Sequence, residues 1–202
     1  LWLDASQLTN AGTVWEDLSG MDNNATKHGS PTIIQNAQNG LSLMRYSGAS
    51  DEYHSFPRMT DIRNVFWVTN RSGIDNESRF LLGDSTTYNF HSQGRFFWHS
   101  SLNPTSTIRS GTTRLNGSII DGRTTNLPSE LSVISLKTTG NVSASSFSKD
   151  RHIDIRNWKG DLGELMIFNY PLADSKIEQI EGYLAHKWGL VDSLASDHPY
   201  LN

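Results

Sequence analysis

The chain has 202 residues, of which 10% are aromatic, and it carries a formal net charge of −4 at pH 7. This length suits a single domain, residues 1–202, that buries a sizeable core. The lysines and arginines are scattered and form no basic stripe, which argues against nucleic acid as a partner. No apolar stretch approaches the roughly 18 residues that a membrane span needs, and the lack of cysteine excludes disulfides.

Short apolar or alternating stretches recur along the chain, separated by turn-forming residues. Stretches of this kind are typical of β-strands, and they predict strands at residues 41–47, 64–70, 78–83, 131–138 and 163–170. Pairs such as Asn39-Gly40 and Asn116-Gly117 suit tight hairpins, whose central residues need a positive φ. The regular spacing of these short strands predicts an all-β sandwich.

One segment, residues 174–187, has the period of a helix instead. Its apolar residues recur every three or four positions and form one stripe: Ile177, Ile180, Leu184 and Trp188. Asp174 or Ser175 can cap the start, and Ser175 with the glutamate three residues later fits a capping box. Gly189 supplies the stop. Gly182 lies inside the helix at a cost of roughly 1 kcal/mol, so we expect another element to approach closely there.

Four stretches together resemble a known family: "LWLDAS" at 1–6, "WEDLSGMDNNAT" at 15–26, "GDLGELMIFNYPLADSKIEQIEGYLAHKWGL" at 160–190 and "HPY" at 198–200. They are similar to the laminin-G-like domains of the concanavalin A-like lectin and glucanase superfamily. The match is to the bacterial form, which occurs as modules of large secreted or surface proteins. The resemblance covers nearly the whole chain.

This resemblance implies a jelly-roll sandwich of two curved antiparallel sheets with one short C-terminal helix. It also implies an extracellular or cell-surface location and other domains of a larger chain as neighbours, with the targeting signal elsewhere in that chain. Family members serve mostly as binding modules, so we expect a carbohydrate or cell-surface glycan as the partner. A protein-binding or structural spacer module is the alternative, and a glycoside hydrolase is the third possibility.

Catalysis is not expected. The glucanases of this superfamily resemble one another in a Glu-x-Asp-x-x-Glu strand, whose alternation puts the acids on one face, and this sequence contains no such spacing. A nucleophile elbow and a His-Glu-x-x-His helix are also absent from the sequence. We therefore expect a binding module and not an enzyme.

Residues 80–100, "FLLGDSTTYNFHSQGRFFWHS", concentrate aromatic and imidazole rings. If residues 88–91 and 95–99 are paired strands, a sandwich core takes only one face, and the other face can hold a sugar. The candidate ligand-binding residues are Asp84, Tyr88, His91, Arg95, Trp98 and His99. The alternative is that neighbouring loops cover both faces and the stretch belongs to the core.

Calcium is a plausible cofactor because the resemblance implies it and because hard cations take clustered oxygen ligands. The candidate metal ligands are Asp17, Asp22 and Asn24, with Asp84 as a second possible place. The spacing is not that of an EF-hand. The alternative is an Asx-rich turn whose side chains bond their own backbone.

Two residues in the last quarter of the sequence, Trp158 and Glu164, each allow two interpretations. Glu164, within the apolar run "GELMIF", is expected at a strand end, bonded to backbone or to an arginine such as Arg151 or Arg156; the alternative is a calcium-linked acid. Trp158 is either a core residue or a loop-borne sugar platform.

Overall fold

Antiparallel strands make up most of the computed structural model, which describes residues 1–9, 12–73, 75–151 and 153–202. Its strands are β1 (Trp2–Asp4), β2 (Val14–Trp15), β3 (Ala25–His28), β4 (Thr32–Gln38), β5 (Leu41–Ser47), β6 (Tyr53–Thr69), β7 (Thr112–Leu115), β8 (Ser118–Ile120), β9 (Ser132–Phe147) and β10 (Lys159–Phe168). Its α-helices are α1 (Ser106–Arg109) and α2 (Asp174–Trp188). Short 3-10 turns occur at Ala5–Gln7, Asn103–Thr105 and Val191–Ser193.

The strands hydrogen-bond in the order β4-β5-β10-β6-β9-β7-β8, with β1 on β10 and the β2–β3 pair on β6. This confirms the predicted all-β, antiparallel fold class, which is consistent with a β-sandwich. The predicted strand at 41–47 coincides with β5. Three others, at 64–70, 131–138 and 163–170, overlap β6, β9 and β10 and extend one or two residues beyond them. The strand predicted at 78–83 is wrong, because that backbone makes only an isolated bridge, from Gly83 to Ser146.

Two long strands hold the fold together. Strand β6 has 17 residues and β9 has 16, and they pair along most of their length. Their register shifts between Ser55 and Asn64, and such irregularities let strands change direction. One end of β6 pairs with β3 and the other with β10, so the predicted two sheets are continuous through these strands.

Helix α2 packs on one face of the sheet. Trp188 Nε1 donates to Glu164 on β10 at 2.8 Å, and the Ser135 hydroxyl on β9 donates to Glu181. The helix has the predicted start and ends at Trp188, one residue later than predicted. Gly189 follows as the C-cap with φ +65°, which confirms the predicted stop. Ala173 is the N-cap and no side chain caps the helix, so the predicted capping box is not formed. Among the described residues, no helix is long and apolar enough to cross a membrane.

The opposite face of the sheet packs against residues 84–99, which we call the cover loop. The rings of Trp67 on β6 and Phe90 in the loop lie 6.3 Å apart at a steep angle. Trp98 Nε1 donates to Thr113 Oγ1 on β7 at 2.8 Å. Phe90 and Trp98 are therefore part of the core, which favours the alternative that this stretch fills the interior. Trp158 is also fully buried, as a core residue should be.

The hairpins follow the predicted turn chemistry. Asn39 and Gly40 have φ of +48° and +73° between β4 and β5, and Asn116 and Gly117 have φ of +49° and +82° between β7 and β8. Consecutive positive φ values match the right-handed twist of the flanking strands. The two Asn-Gly pairs therefore fix where these strands reverse.

Candidate functional site

The cover loop is irregular, so the prediction that residues 88–91 and 95–99 are paired strands is wrong. Apart from the bond from His99 N to the carbonyl of His91, the backbone of the second segment bonds elsewhere, as in the bond from Trp98 N to the carbonyl of Gly122. Phe97 and Trp98 are neighbours in sequence, yet each is only 1% exposed. Alternation in a regular strand would turn one of them away from the core, so tertiary packing overrides the local pattern.

The six predicted ligand-binding residues differ in exposure. Asp84, His91 and Trp98 are buried, Tyr88 and His99 are half-buried, and Arg95 is exposed. Trp98 has no free ring face to offer a ligand, since its indole is enclosed in the core. In the part of the chain that the structure describes, no hydrogen bond or ion pair joins the Arg95 side chain to the other five.

Asp84 anchors the start of the cover loop. Its carboxylate accepts two bonds from Arg58, at 2.7 and 3.0 Å, and further bonds from the backbones of Thr86 and Thr87 at 3.1 and 2.8 Å. Burial opposes ionisation, but the Arg58 guanidinium and the Thr donors together hold the pKa of Asp84 well below its usual value. Asp84 thus fixes the loop's conformation and its oxygens are already satisfied.

Three rings of the cover loop lie together with one guanidinium from another segment, and we call them the Tyr88 cluster: Tyr88, His91, His99 and Arg151. The ring centroids of Tyr88 and His91 are 6.1 Å apart, and those of His91 and His99 are 5.3 Å apart. A backbone bond of 2.8 Å from His99 N to the carbonyl of His91 sets this spacing. The Arg151 guanidinium carbon lies 4.5 Å from the centre of the Tyr88 ring. Half of the predicted ligand-binding set is therefore brought together.

Hydrogen bonds assign different roles to the two imidazoles of the Tyr88 cluster. His91 Nδ1 lies 2.5 Å from the carbonyl of Ser92, which only accepts, so this nitrogen carries the proton. His99 Nδ1 accepts from Ser101 N at 3.3 Å, so the proton is on Nε2. Burial lowers the pKa of both imidazoles below the usual 6.5. At neutral pH, His91 therefore offers an acceptor and His99 a donor.

Arg151 is held in place by a buried acid. Its guanidinium donates to Asp150 at 3.0 and 3.1 Å, and Arg156 donates to the same carboxylate at 3.1 Å. The Asp150 bond raises the pKa of Arg151, although burial opposes this. Sequence reasoning missed Arg151 as a member of the cluster, because it lies more than 50 residues from Tyr88 in the chain.

The predicted calcium ligands form a tight turn. Asp17 accepts from Trp2 N at 2.7 Å, from Ser19 N and Oγ at 3.0 and 2.8 Å, and from Asn23 N at 3.0 Å. Asn24 Oδ1 accepts from Asp17 N at 2.8 Å. These bonds are those of the Asx-rich turn.

The other predicted ligand of that turn, Asp22, is exposed and has φ +56°. Within the described ranges, no three carboxylate or imidazole side chains converge as a metal site requires. Calcium at this turn therefore stays a prediction from the sequence.

Glu164 lies beneath helix α2, not at an open strand end. Its oxygens accept from Trp2 Nε1 at 2.7 Å, from Lys187 Nζ at 2.7 Å and from Trp188 Nε1 at 2.8 Å. The prediction of an arginine partner for Glu164 is wrong, because helix α2 supplies Lys187 instead. Burial raises the pKa of Glu164, against the opposing effect of Lys187. Lys187 also donates to Asp4 at 2.6 Å. Helix α2 therefore covers both carboxylates, those of Asp4 and Glu164.

A concave surface that the sequence does not predict lies where β1, β10, α2 and the turn after Asp17 meet. We call it the apolar groove; its volume is about 770 Å³. Its lining includes Trp2, Met21, Met166, Phe168, Tyr170 and Tyr183. The groove shares no residue with the Tyr88 cluster.

No known protein family, curated protein or solved structure matches this chain. Function must therefore be argued from the two surfaces themselves.

Proposed function

We propose that this chain is an extracellular, non-catalytic carbohydrate-binding module of the laminin-G-like kind, carried by a bacterial adhesin or a multidomain secreted enzyme. Its ligand is a cell-surface glycan or polysaccharide. The binding surface is the Tyr88 cluster.

One observation carries the proposal: the half-buried rings of Tyr88 and His99 lie on either side of the buried His91 ring, and the two imidazoles supply one acceptor and one donor nitrogen. Sugars present apolar C–H faces that pack on rings, and hydroxyl groups that both donate and accept. The cluster therefore matches both halves of a sugar's chemistry. Asp84 and Asp150 hold the loop rigidly beforehand, which lowers the entropic cost of binding.

The charges favour a neutral sugar over an acidic one. Both imidazoles are uncharged at neutral pH, because burial lowers their pKa. Arg151 and Arg156 share the single carboxylate of Asp150, and the flat face of Arg151 is stacked on Tyr88. The Nε and Nη2 atoms of Arg151, which could pair with a uronate or sulfate group, are already used by Asp150.

A binding role without catalysis is supported by the state of the buried acids under helix α2. Glycoside hydrolysis needs two carboxyl groups facing a cleft. Asp4 and Glu164 share Lys187 under the helix, and Glu181 is fully buried. These carboxylates bond helix α2 to the sheet and do not face a cleft.

A glycan array on the isolated domain tests the proposal, followed by titration of the best neutral glycan. Tyr88→Ala and His99→Ala are expected to weaken binding about tenfold or more, since a good stacking or hydrogen-bonding contact contributes on the order of 1.4 kcal/mol. Tyr170→Ala is the matched control, because Tyr170 is exposed and lies in the other surface.

Three outcomes would count against the proposal. Binding of no glycan would favour the protein-binding or spacer alternative. Full affinity in both folded cluster variants would put the sugar elsewhere. Loss of binding in Tyr170→Ala alone would assign the sugar to the apolar groove instead.

A further inference from the structure

The side chains that line the apolar groove are uncharged. None of the described side chains that line it is an acid, a lysine, an arginine or a histidine. The α-amino group of Leu1, which also lines the groove, donates to the carbonyl of Ile167 at 3.2 Å and is near the Asp17 carboxylate. Three of its members are large apolar or aromatic residues with high exposure: Met21 at 71%, Tyr170 at 55% and Tyr183 at 45%. Exposed apolar groups that gather in one concavity mark a binding surface more often than single ones do.

Four polar side chains of the groove lining are already bonded to protein. Trp2 Nε1 donates to Glu164, the Asn169 amide donates to Asp61 at 3.2 Å, and Gln179 Oε1 accepts from Lys176. The Ser19 hydroxyl donates to Asp17. Most of the remaining lining is apolar, so this groove differs in chemistry from the Tyr88 cluster.

The Lys187 side chain, which lies beside the groove, cannot serve an acidic ligand. Lys187 Nζ lies 5.7 Å from the centre of the Tyr183 ring, but it bonds both Asp4 and Glu164. An anionic headgroup in the groove would lose water without gaining a free counter-charge, which is costly. The lining therefore favours a neutral ligand.

The size of the groove favours a small molecule over a folded partner. A volume of about 770 Å³ falls within the roughly 300–1,000 Å³ of small-molecule sites. Stable protein interfaces instead bury about 800 Å² on each side, usually over a flatter surface. Three methionines, Met21, Met59 and Met166, line the groove, and their flexible thioethers can adapt to an irregular apolar shape.

We propose that the apolar groove is a second binding site, for a neutral, predominantly apolar small molecule. The ligand packs against Trp2, Phe168 and Tyr183, and the methionines close around it. This site is independent of carbohydrate binding, so either proposal can fail without the other.

The probe is N-phenyl-1-naphthylamine, a neutral dye that fluoresces in apolar surroundings. We expect saturable binding with one dye per chain. All six tryptophans lie in described residues and only Trp2 is not buried, so bound dye is expected to protect the protein's tryptophan emission from acrylamide quenching. This second readout reports on the groove specifically.

Two variants place a charge in the lining, and a third is their matched control. Met21→Glu and Tyr183→Glu are expected to weaken dye binding about tenfold or more, because a carboxylate would be desolvated by the ligand. Ile155→Glu changes a residue of similar exposure, 68%, outside the groove and should bind as the unmodified chain does. Melting curves check that every variant is folded.

Displacement of the dye by other ligands, and sedimentation of the protein, distinguish a neutral small molecule from other possible occupants of the groove. Decan-1-ol should displace the dye at lower concentration than decanoate; preference for decanoate would overturn the neutral assignment. Absence of saturable binding, or equal affinity in both folded groove variants, would overturn the site. A dimer in sedimentation that Met21→Glu dissociates would make the face an interface between copies, and that result too would overturn it.

Discussion

The ammonium of Lys187 lies 2.7 Å from Oε2 of Glu164, and only 17% of the lysine side chain is exposed. Lys187 comes from the end of helix α2 and Glu164 from the middle of β10. Because Asp4 on β1 bonds the same ammonium, one lysine joins the helix to two adjacent strands. A buried acid pair held by a single cation is sensitive to the loss of that cation.

Lys187→Met is expected to lower the free energy of unfolding by about 3–5 kcal/mol, because it leaves two buried carboxylates without their counter-charge. Denaturant unfolding at pH 7 measures this loss. Lys176→Met, on the exposed side of the same helix, should change stability by less than about 0.5 kcal/mol. A loss below about 1 kcal/mol for Lys187→Met would mean that the ion pair is not needed to hold the helix.

Much of the fold could be predicted because its signals are local. Strand β5 follows the bounds of its apolar run, the Asn-Gly pair at 39–40 forms the expected hairpin, and α2 begins at Asp174 as its stripe predicts. Each of these depends on residues a few positions apart, through periodicity or turn geometry. The resemblance supplied the sandwich, and the strand pairing agrees with that class.

The candidate site could be predicted only in part, because its contacts are distant in sequence. Tyr88, His91 and His99 share one loop, so their grouping was visible, but Trp98 is buried by a bond to Thr113 and Arg151 arrives from another segment. The apolar groove draws on both ends of the chain. No local pattern can reveal which separate segments meet in three dimensions.

His54 is a buried, neutral imidazole, and it should make stability depend on pH. Burial, with the nearby charges of Lys27 and His28, lowers its pKa to about 3 from the usual 6.5. The folded state therefore binds this proton less readily than the unfolded chain does. The stability that His54 contributes is present above pH 6.5 and is lost as the pH falls toward about 3.

His54→Gln tests this pH dependence. The difference in unfolding free energy between the unmodified chain and the variant should shrink as the pH falls from 7 to 5, by up to about 1.4 kcal/mol per unit. His186→Gln, which changes an exposed imidazole, is the matched control for the substitution itself. A difference for His54→Gln that is constant with pH would show that the buried imidazole does not titrate as argued.

Gly182 allows the C-terminal segment to pack against helix α2. A Cβ atom at this position would lie 2.4 Å from Cβ of Tyr200. Gly182→Ala adds helix propensity of about 1 kcal/mol, but overpacking usually costs about 1–3 kcal/mol, so we expect a net loss in thermal stability. Gly140→Ala has room for its methyl group, with the nearest atom at 3.4 Å, and should melt as the unmodified chain does. A higher melting temperature for Gly182→Ala would mean that the segment carrying Tyr200 moves aside easily.

Trp98 and Tyr88 lie in the same loop but should respond differently to truncation. Trp98→Ala leaves a large cavity behind a side chain that is 1% exposed and frees Thr113 of its partner, so we expect a loss of about 3–5 kcal/mol. Tyr88→Ala removes a half-buried ring and should cost about 1 kcal/mol while abolishing most glycan affinity. Chemical denaturation and glycan titration of both variants distinguish a residue that stabilises the core from a residue that binds the ligand. Equal stability losses would mean that Tyr88 is a core residue too, and the Tyr88 cluster would then offer no ring to a sugar.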